Sequence, residues 1–463
     1  MKPLCVDLDG TLIATDTLAE SVLLLLRHNF LLGFLLPLWL IKGKAYLKHQ
    51  IAQQITLDVA SLPYRENVLE FLQREKDAGR ILVLATAAHQ TIAQAVAEHL
   101  KLFDHVIASD AHTNMKGTTK RDTLKQRFGT FDYIGDSRAD LPILQAADEA
   151  FFLGTPSASL RKQCKVFSIP KTNWLAWLKM LRPHQWAKNV LIFLPLFLAQ
   201  QILNLDKLGD SFLAFIVFSL AASAGYVLND LLDLQADRAH SSKKHRPFAA
   251  GLVPIQYGLP IFVVLISLSF LISLSSLPLF FSGMVGLYLL LTISYSFYIK
   301  HKLLIDVFVL AGLYTLRILA GCIAAAIAPS SWLLAFSMFI FISLAFLKRY
   351  IELLQQSDQK VLKNRGYQAG DIDFIATMGM ISGYLAVLVM ALYINTDKVA
   401  MLYHSPGILW MICPVLLYWI SRVWFLAKRR ELLDDPLQFA LSDKISWFIL
   451  VCVLSFILSA EFF

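Results

Sequence analysis

The chain has 463 residues, 57% apolar and 16% charged, with a net charge of +8. Soluble globular chains run nearer ~45–50% apolar and ~25% charged, so a purely soluble enzyme, a disordered scaffold and a secreted disulfide framework are excluded. Five scattered cysteines (Cys5, Cys164, Cys322, Cys413 and Cys452) form no CxxC pair, which argues against zinc and a disulfide set.

At the N-terminus, Met1-Lys2-Pro3 runs straight into a strand-like Leu4-Cys5-Val6, with no signal peptide in view. Asp7-Leu-Asp9-Gly10-Thr11 follows at once. A second strand, Ile81–Thr86, ends in Thr86, and Lys120 opens a helical stretch. A further strand-like segment leads into Tyr133-Ile-Gly135-Asp136-Ser-Arg-Ala-Asp140. In an open parallel sheet, residues at the carboxyl ends of successive strands meet in one crevice. Four such tips would gather Asp7 and Asp9, Thr86, Lys120, and Asp136 with Asp140.

This set resembles the haloacid-dehalogenase (HAD) phosphatases, with all four motif positions filled. The resemblance implies an α/β domain over 1–165, a doubly wound parallel sheet with a helical cap. It makes Asp7 the nucleophile that becomes an aspartyl phosphate, and Asp9 the general acid/base. Thr86 and Lys120 would bind phosphoryl oxygens. Asp7, Asp9 through its backbone carbonyl, and Asp136 would hold Mg²⁺, with Asp140 supporting.

Val22–Ile41 is almost wholly apolar, broken only by Arg27, His28 and Asn29. It is long enough to span a bilayer, but spanning would put Asp7 and Asp136 on opposite sides of it. It reads instead as part of a cap insertion at about 18–60 whose apolar face dips into the membrane interface. Lys42, Lys44 and Lys48 after it would suit anionic headgroups.

Residues 166–188 read as an interfacial linker, with Trp174, Trp177 and Trp186 as membrane-surface anchors. A membrane domain over 189–463 follows. By the ~20-residue criterion it carries about nine spans, near 189–203, 210–231, 257–276, 278–297, 303–327, 330–347, 374–395, 407–427 and 444–461. Most loop Lys and Arg fall on one side, including Lys171, Arg182, Lys188, Arg238, Lys300, Lys348 and Lys428; the other side has only Lys207 and Lys398. The positive-inside rule then puts the N-terminal domain and active sites in the cytoplasm and the C-terminus outside, in a multi-pass protein of the plasma (inner) membrane. The same rule accounts for the positive charge without nucleic acid.

The second span ends in Asn229, Asp230, Asp233 and Asp237. On one continuous helix the three aspartates fall within an arc of roughly 60°. Carboxylates so placed repel unless a hard cation lies between them, and oxygen ligands of this kind suit Mg²⁺ shared with substrate phosphates. The bland alternative is a solvated acidic helix end. Lys243, Lys244 and Arg246 follow, read either as positive-inside charge or as a phosphate-binding lid. Asp306 and Arg317 share a face of the fifth span, Arg317 roughly 16 Å deeper; a charge at that depth is expected to line a polar cavity. Tyr295, Tyr298 and Lys300 precede them, Lys348 and Arg349 end the sixth span, and Arg182 and Lys188 precede the first.

These segments resemble the UbiA-type intramembrane prenyltransferases, an all-α family of about nine helices with Mg²⁺ and diphosphate in a central cavity. The resemblance rests on Arg182–Asn189 (RPHQWAKN), the run from Asn229 to Gly251, Tyr295–His301 and Leu316–Gly321. Within the family it points to the decaprenyl-phosphate phosphoribosyltransferase branch. The family's second acidic motif, DxxxD, is incomplete: four residues after Asp306 stands Leu310.

The resemblance thus implies Mg²⁺ in both domains, with Asn229, Asp230, Asp233 and Asp237 as the membrane-domain metal set. Arg182, Lys188, Lys243, Lys244, Arg246, Tyr295, Lys300, Arg317, Lys348 and Arg349 would bind substrate. Asp306 would orient the ribose or complete a second metal site. The implied reaction transfers 5-phosphoribosyl from phosphoribosyl diphosphate to a polyprenyl phosphate, after which the HAD domain removes the 5-phosphate. Two rivals are a prenyltransferase using a prenyl diphosphate donor beside an unrelated phosphatase, and a phosphatase tethered by a non-catalytic membrane domain. A homo-oligomer is left open.

Overall fold

The computed structural model describes residues 2–154, 164–167, 173–240, 242–356, 366–432 and 435–462. The chain divides into two compact units, Met1–Arg182 with Tyr226–Val264, and Pro183–Gly225 with Leu265–Phe463.

The first unit is built on six strands: β1 (Leu4–Val6), β2 (Leu82–His89), β3 (His105–Ser109), β4 (Asp132–Gly135), β5 (Ala150–Leu153) and β6 (Cys164–Phe167). All are parallel, in the order β3-β2-β1-β4-β5-β6. Helices α1 (Thr17–His28), α2 (Leu36–Ile41), α3 (Lys44–Gln54) and α4 (Glu66–Asp77) lie between β1 and β2. Helix α5 (Gln90–Leu100) follows β2, α6 (Thr118–Phe128) follows β3, and α7 (Leu141–Leu144) follows β4.

Both faces of β1 are covered, which is why Leu4-Cys5-Val6 is an unbroken apolar run rather than an alternating one. Leu4, Val6, Leu84 and Ile134 pack with Val68, Leu72, Ile92 and Val96 on one face. Cys5, Val83, Ala85 and Tyr133 pack with Leu124 and Ile143 on the other. The strand order reverses at β1, with β2 and β3 to one side and β4 to the other. The carboxyl ends of β1 and β4 therefore flank the switch-point crevice where such sheets carry their chemistry.

The apolar stretch Val22–Ile41 is not a single helix. Helix α1 ends at Asn29, whose extended backbone (φ −151°, ψ 95°) breaks the axis. A 3-10 segment, Phe30–Leu35, and the short α2 follow, and Gly43 turns the chain at φ +113°. Helix α1 buries Leu23 and Leu25. Phe30, Leu31, Phe34 and Leu38 are each more than half exposed.

Eight helical segments among the described residues are long and apolar enough to cross a membrane: Leu205–Leu232, Ile255–Ser276, Leu279–Phe297, Ile305–Ala324, Ser331–Gln355, Ile372–Ile394, Pro406–Lys428 and Lys444–Phe462. The chain is a multi-pass integral membrane protein, and these eight follow the expected bounds closely. The ninth expected span, 189–203, is helical but short: Pro183–Phe193 is 3-10 and only Leu194–Leu198 is α. Eleven residues is long for a 3-10 segment. Side chains hold it: Trp186 Nε1 donates to Ser223 Oγ (2.9 Å) and Asn189 Nδ2 to Ser219 Oγ (3.0 Å). A side chain at Gly321 would collide with the Ile192 carbonyl, so glycine there permits the close approach. Gly379 against Trp424 and Gly383 against Ile420 do the same between spanning helices, where small residues let helices pack closely.

Candidate active sites

At the sheet crevice, the peptide N–H of Asp7 donates to Ile134 O (3.0 Å), which fixes Asp7 beside the end of β4. Gly10 has φ +76°, and any Cβ there would collide with the Asp136 carboxylate. Thr11 Oγ1 donates to Asp136 Oδ1 (3.1 Å). Lys120 Nζ donates to Asp7 Oδ1 (2.9 Å) and to Asp140 Oδ1 (3.3 Å). Asp140 is also bonded by Tyr133 OH (2.9 Å) and Ser137 Oγ (2.7 Å). Ligand oxygens of Asp7, Asp136 and Asp140 lie within 4.8 Å of one another. Burial pushes the carboxyl of Asp7 up to about 8 against the pull of Lys120, and that of Asp136 up to about 6. Three hard oxygen donors, two of them sharing one lysine, fit a divalent cation, which would relieve their desolvation.

The Asp9 carboxylate points elsewhere. It accepts from Thr17 N (2.7 Å) and Thr17 Oγ1 (3.2 Å), at the start of α1. Burial, with Asp16 nearby, raises it to about 7, suited to proton transfer near neutrality. This leaves only its backbone carbonyl for the expected metal role. Thr86 is fully buried at the carboxyl half of β2 and its Oγ1 accepts from Ala88 N (3.0 Å). Lys48, expected to face headgroups, turns inward: its Nζ donates to Ala87 O (2.5 Å) and Asn114 Oδ1 (2.9 Å). Lys42 and Lys44 are exposed. Tyr133 was not anticipated, because a strand tyrosine reads as core until Asp140 and Lys120 are seen around its hydroxyl.

The acid motif belongs to the same unit. Its helix does not run on to Asp237 as expected: Leu205–Leu232 ends, and a six-residue helix, Leu234–Ala239, begins after Asp233. The bonds Asp233 N to Asn229 O (2.9 Å) and Asp237 N to Asp233 O (2.8 Å) carry the turn across the break. Asp230 and Asp237 are buried, at 2% and 3% exposure. Asp230 Oδ1 accepts from Arg182 Nη2 and from Arg246 Nη1 (3.2 Å), and Asp237 Oδ2 from the same Arg246 nitrogen (2.5 Å). Burial holds the Asp237 carboxyl above its ordinary range although Arg246 pulls it down. Asp230 Oδ2 is buried with no hydrogen-bond partner among the described residues. An orphaned carboxylate oxygen is costly, and its place beside Asp237 fits a metal ligand. Lys243 and Lys244 sit on an exposed 3-10 turn.

In the second unit, Arg317 is held by neutral groups: Nε donates to Asn189 Oδ1 (2.8 Å), Nη1 to Leu313 O (2.5 Å) and Nη2 to Tyr288 OH (3.2 Å). Its guanidinium also stacks near Tyr288 and Tyr314, 5.0 and 5.5 Å from the ring centres. Asp306 faces Arg349 Nε at 2.6 Å and accepts from Tyr367 OH (2.6 Å). Arg349 also binds Glu352 and donates to Tyr295 OH (2.7 Å). Lys188 and Lys348 converge on Asp435 Oδ2 at 3.1 and 3.0 Å. Lys300 is half-buried on the turn Ile299–His301, and Tyr298 is exposed. Asp435 was not anticipated, since it lies far in sequence from both lysines.

One chain that carries a parallel sheet with these acidic tips, eight apolar helices and an acid motif is defined as a membrane enzyme with a HAD-like domain at its N-terminus. Residues 4–145 match the haloacid dehalogenase-like hydrolase family, and residues 190–449 match the UbiA prenyltransferase family. The chain belongs to the UbiA prenyltransferase family, and its two domains carry transferase and hydrolase chemistry. It is 38% identical to the uncharacterized protein y4nM of Sinorhizobium fredii, over 96% of this chain and 89% of that one. It is 35% identical to the nodulation protein NoeC of Azorhizobium caulinodans, over 63% of this chain and 94% of that one. It is also 35% identical to the decaprenyl-phosphate phosphoribosyltransferase of Corynebacterium glutamicum, over 49% of this chain and 70% of that one.

Proposed function

We propose that the chain transfers 5-phosphoribosyl from phosphoribosyl diphosphate to a polyprenyl phosphate and then removes the 5-phosphate, releasing polyprenyl-phosphoryl-ribose. The observation that carries this reading is the acid motif: a buried Asp230 with one orphaned oxygen, next to Asp237, under Arg182 and Arg246. Carboxylates for a cation and arginines for phosphate oxygens, side by side, suit a metal diphosphate. The phosphoribosyltransferase relative supports the choice of donor.

In the first step the bond from ribose C1 to the diphosphate breaks as a lipid phosphate oxygen bonds to C1. Pyrophosphate leaves and no net proton is transferred, so no strong base is required. Asp230 and Asp237, with Asn229 and Asp233, would hold Mg²⁺, which when bound neutralises charge on the leaving diphosphate. Arg182 and Arg246 turn to its oxygens. Lys188, Lys348 and Arg317 are the cations we assign to lipid phosphate, with Lys243, Lys244 and Lys300 on the substrate path. Asp306 we assign as the counter-charge that positions Arg349 and, through it, Tyr295.

In the second step Asp7 attacks the 5-phosphate phosphorus. Asp9 gives its proton to the departing 5-oxygen, then takes one from the water that frees inorganic phosphate. Asp7, Asp136 and Asp140 would hold Mg²⁺, and Lys120 and Thr86 the phosphoryl oxygens. We place the HAD domain at 1–165, the linker at 166–188 and the transferase at 189–463, with both active sites on the cytoplasmic face of the inner membrane.

The test is to incubate purified protein with polyprenyl phosphate, radiolabelled phosphoribosyl diphosphate and Mg²⁺. Labelled lipid supports the reading. Indifference to this donor with consumption of a prenyl diphosphate would replace it.

A further inference from the structure

Glu20 lies in the first turn of α1 but does not face water; it is 3% exposed. Its two carboxylate oxygens accept from Arg238 Nη1 (2.9 Å) and Nη2 (2.6 Å), and Thr15 Oγ1 donates to one of them (2.6 Å). Both side chains of the pair are buried, at 6% for Arg238 and 2% for Glu20. Arg238 directly follows Asp237 of the acid motif, and its Nε donates to Ala249 O (3.2 Å). At the other end of α1, Arg27 Nη1 donates to Leu232 O (3.2 Å) and Nη2 stands 3.9 Å from Asp233. Gly251 has φ +67°, and a Cβ there would lie 2.8 Å from that of Ala14. The acid motif and its basic loop are thus bound along α1 and the turn before it.

The same helix holds the acid/base of the HAD site. Thr17, its first residue, gives both its N–H and its hydroxyl to the Asp9 carboxylate. One 12-residue helix is therefore bonded to Asp9 at its start and to the acid motif through Glu20 and Arg27. A buried ion pair is weak as a source of stability, since apolar replacements of the same volume often serve as well. Its value here is geometric: a bidentate pair fixes distance and orientation together.

We propose that the Glu20–Arg238 pair is a positioning device that couples the two sites, so that ligand at the acid motif steadies α1 and, through Thr17, the carboxylate of Asp9. Phosphomonoester hydrolysis then runs fastest while pyrophosphate chemistry occupies the neighbouring motif. The inference rests on the reading that the Asp7 site hydrolyses phosphomonoesters.

The experiment uses the full chain in detergent. Ribose 5-phosphate is the probe of hydrolysis, because its alkoxide leaving group needs the proton of Asp9; p-nitrophenyl phosphate is the control whose leaving group does not. Glu20→Gln and Arg238→Gln each lower kcat on ribose 5-phosphate ~10-fold, with KM held within about twofold and a smaller loss on the control. Glu20→Leu with Arg238→Leu leaves no orphaned charge, and shows the same loss rather than the product of the two. In the unaltered protein, inorganic pyrophosphate with Mg²⁺ slows amide hydrogen exchange over Thr17–Leu25, and the effect vanishes in the double variant. A folded double variant with undiminished kcat overturns the proposal, as does α1 exchange that ignores pyrophosphate; the latter decides the matter even where single variants misfold. Unaltered protein that hydrolyses neither ester defeats the phosphatase reading instead, and leaves the exchange measurement standing.

Discussion

At the tips of β1 and β4, Asp7 and Asp140 share one cation, Lys120, while Asp136 beside them feels the charge of Arg65. At the end of Leu205–Leu232, Asp230 and Asp237 share two, Arg182 and Arg246. The first centre is short of positive charge, and burial pushes the carboxyls of Asp7 and Asp136 up towards neutrality. The second is nearly balanced by guanidinium groups, which in the proposed reaction would turn from carboxylate to phosphate. On the proposed reading one site takes up a cation, whereas the other exchanges one set of partners for another. The difference matches their proposed tasks, since a nucleophilic carboxylate must be available, while a diphosphate pocket must recognise an anion and a metal together.

The sharpest break between the two is Asp7→Asn. It removes the proposed nucleophile of one centre only, so lipid-linked phosphoribose should accumulate in place of the dephosphorylated product, with hydrolysis down ~10³-fold or more. Thin-layer separation of labelled lipids reads both species; undiminished dephosphorylation would exclude Asp7 as nucleophile. Asp230→Asn strikes the other centre, and the transfer rate falls ~10²–10³-fold. A tethered phosphatase with an inert membrane domain predicts that no activity changes in this variant.

Legibility followed the range over which each interaction acts. The tips of β1 and β4 were readable because an apolar strand ending in acids is a local pattern, and eight spans were readable because bilayer thickness sets their length. The break at Asp233 was not, since the i to i−4 bonds continue across it and the sequence keeps its helical character. The segment 189–203 failed as a long span because Asn189 and Trp186 donate to Ser219 and Ser223 on a distant helix. Glu20 and Arg238 lie 218 residues apart, and nothing in either neighbourhood signals the other. Lys48 looked like a headgroup ligand because it follows an apolar stretch; only the fold turns it to Asn114.

Gly10→Ala tests how tightly the cation-poor centre is packed. A left-handed backbone costs roughly 1–2 kcal/mol for a residue with a Cβ, and the new methyl also strikes Asp136. Thermal unfolding should shift down accordingly, and hydrolysis should fall ~10-fold or more as Asp136 leaves the ligand cluster. A smaller effect comes from pH. Asp7 and Asp136 titrate at about 8 and about 6 when folded, against roughly 4 when unfolded. These carboxyls are raised, not depressed, so their contribution to stability is full below about pH 4 and is lost as pH rises through about 6 to 8. In chelator the protein should unfold at a lower temperature at pH 8 than at pH 6, and the gain from added Mg²⁺ should grow over that interval. A Mg²⁺ effect independent of pH would place the ion away from Asp7 and Asp136.

The smallest expected effect concerns the tip of the cap. Phe30, Leu31, Phe34 and Leu38 present a row of exposed apolar side chains, with Lys42 and Lys44 exposed behind them. An apolar patch rimmed by basic residues suits the interface of an anionic bilayer. If the HAD site draws its substrate from that interface, Phe34→Asp raises KM for a lipid-linked phosphomonoester in phosphatidylglycerol vesicles by roughly threefold to tenfold, the loss of about one buried aromatic contact. Turnover of ribose 5-phosphate in solution stays as it was, because Phe34 is remote in sequence from every residue at the strand tips and is itself 68% exposed. Equal losses on both substrates would mean that the substitution had damaged the cap itself. No loss on either would mean that the lipid reaches Asp7 without help from the cap, and the contrast between a centre fed from the bilayer surface and one set at the end of a spanning helix would have to be drawn on charge alone.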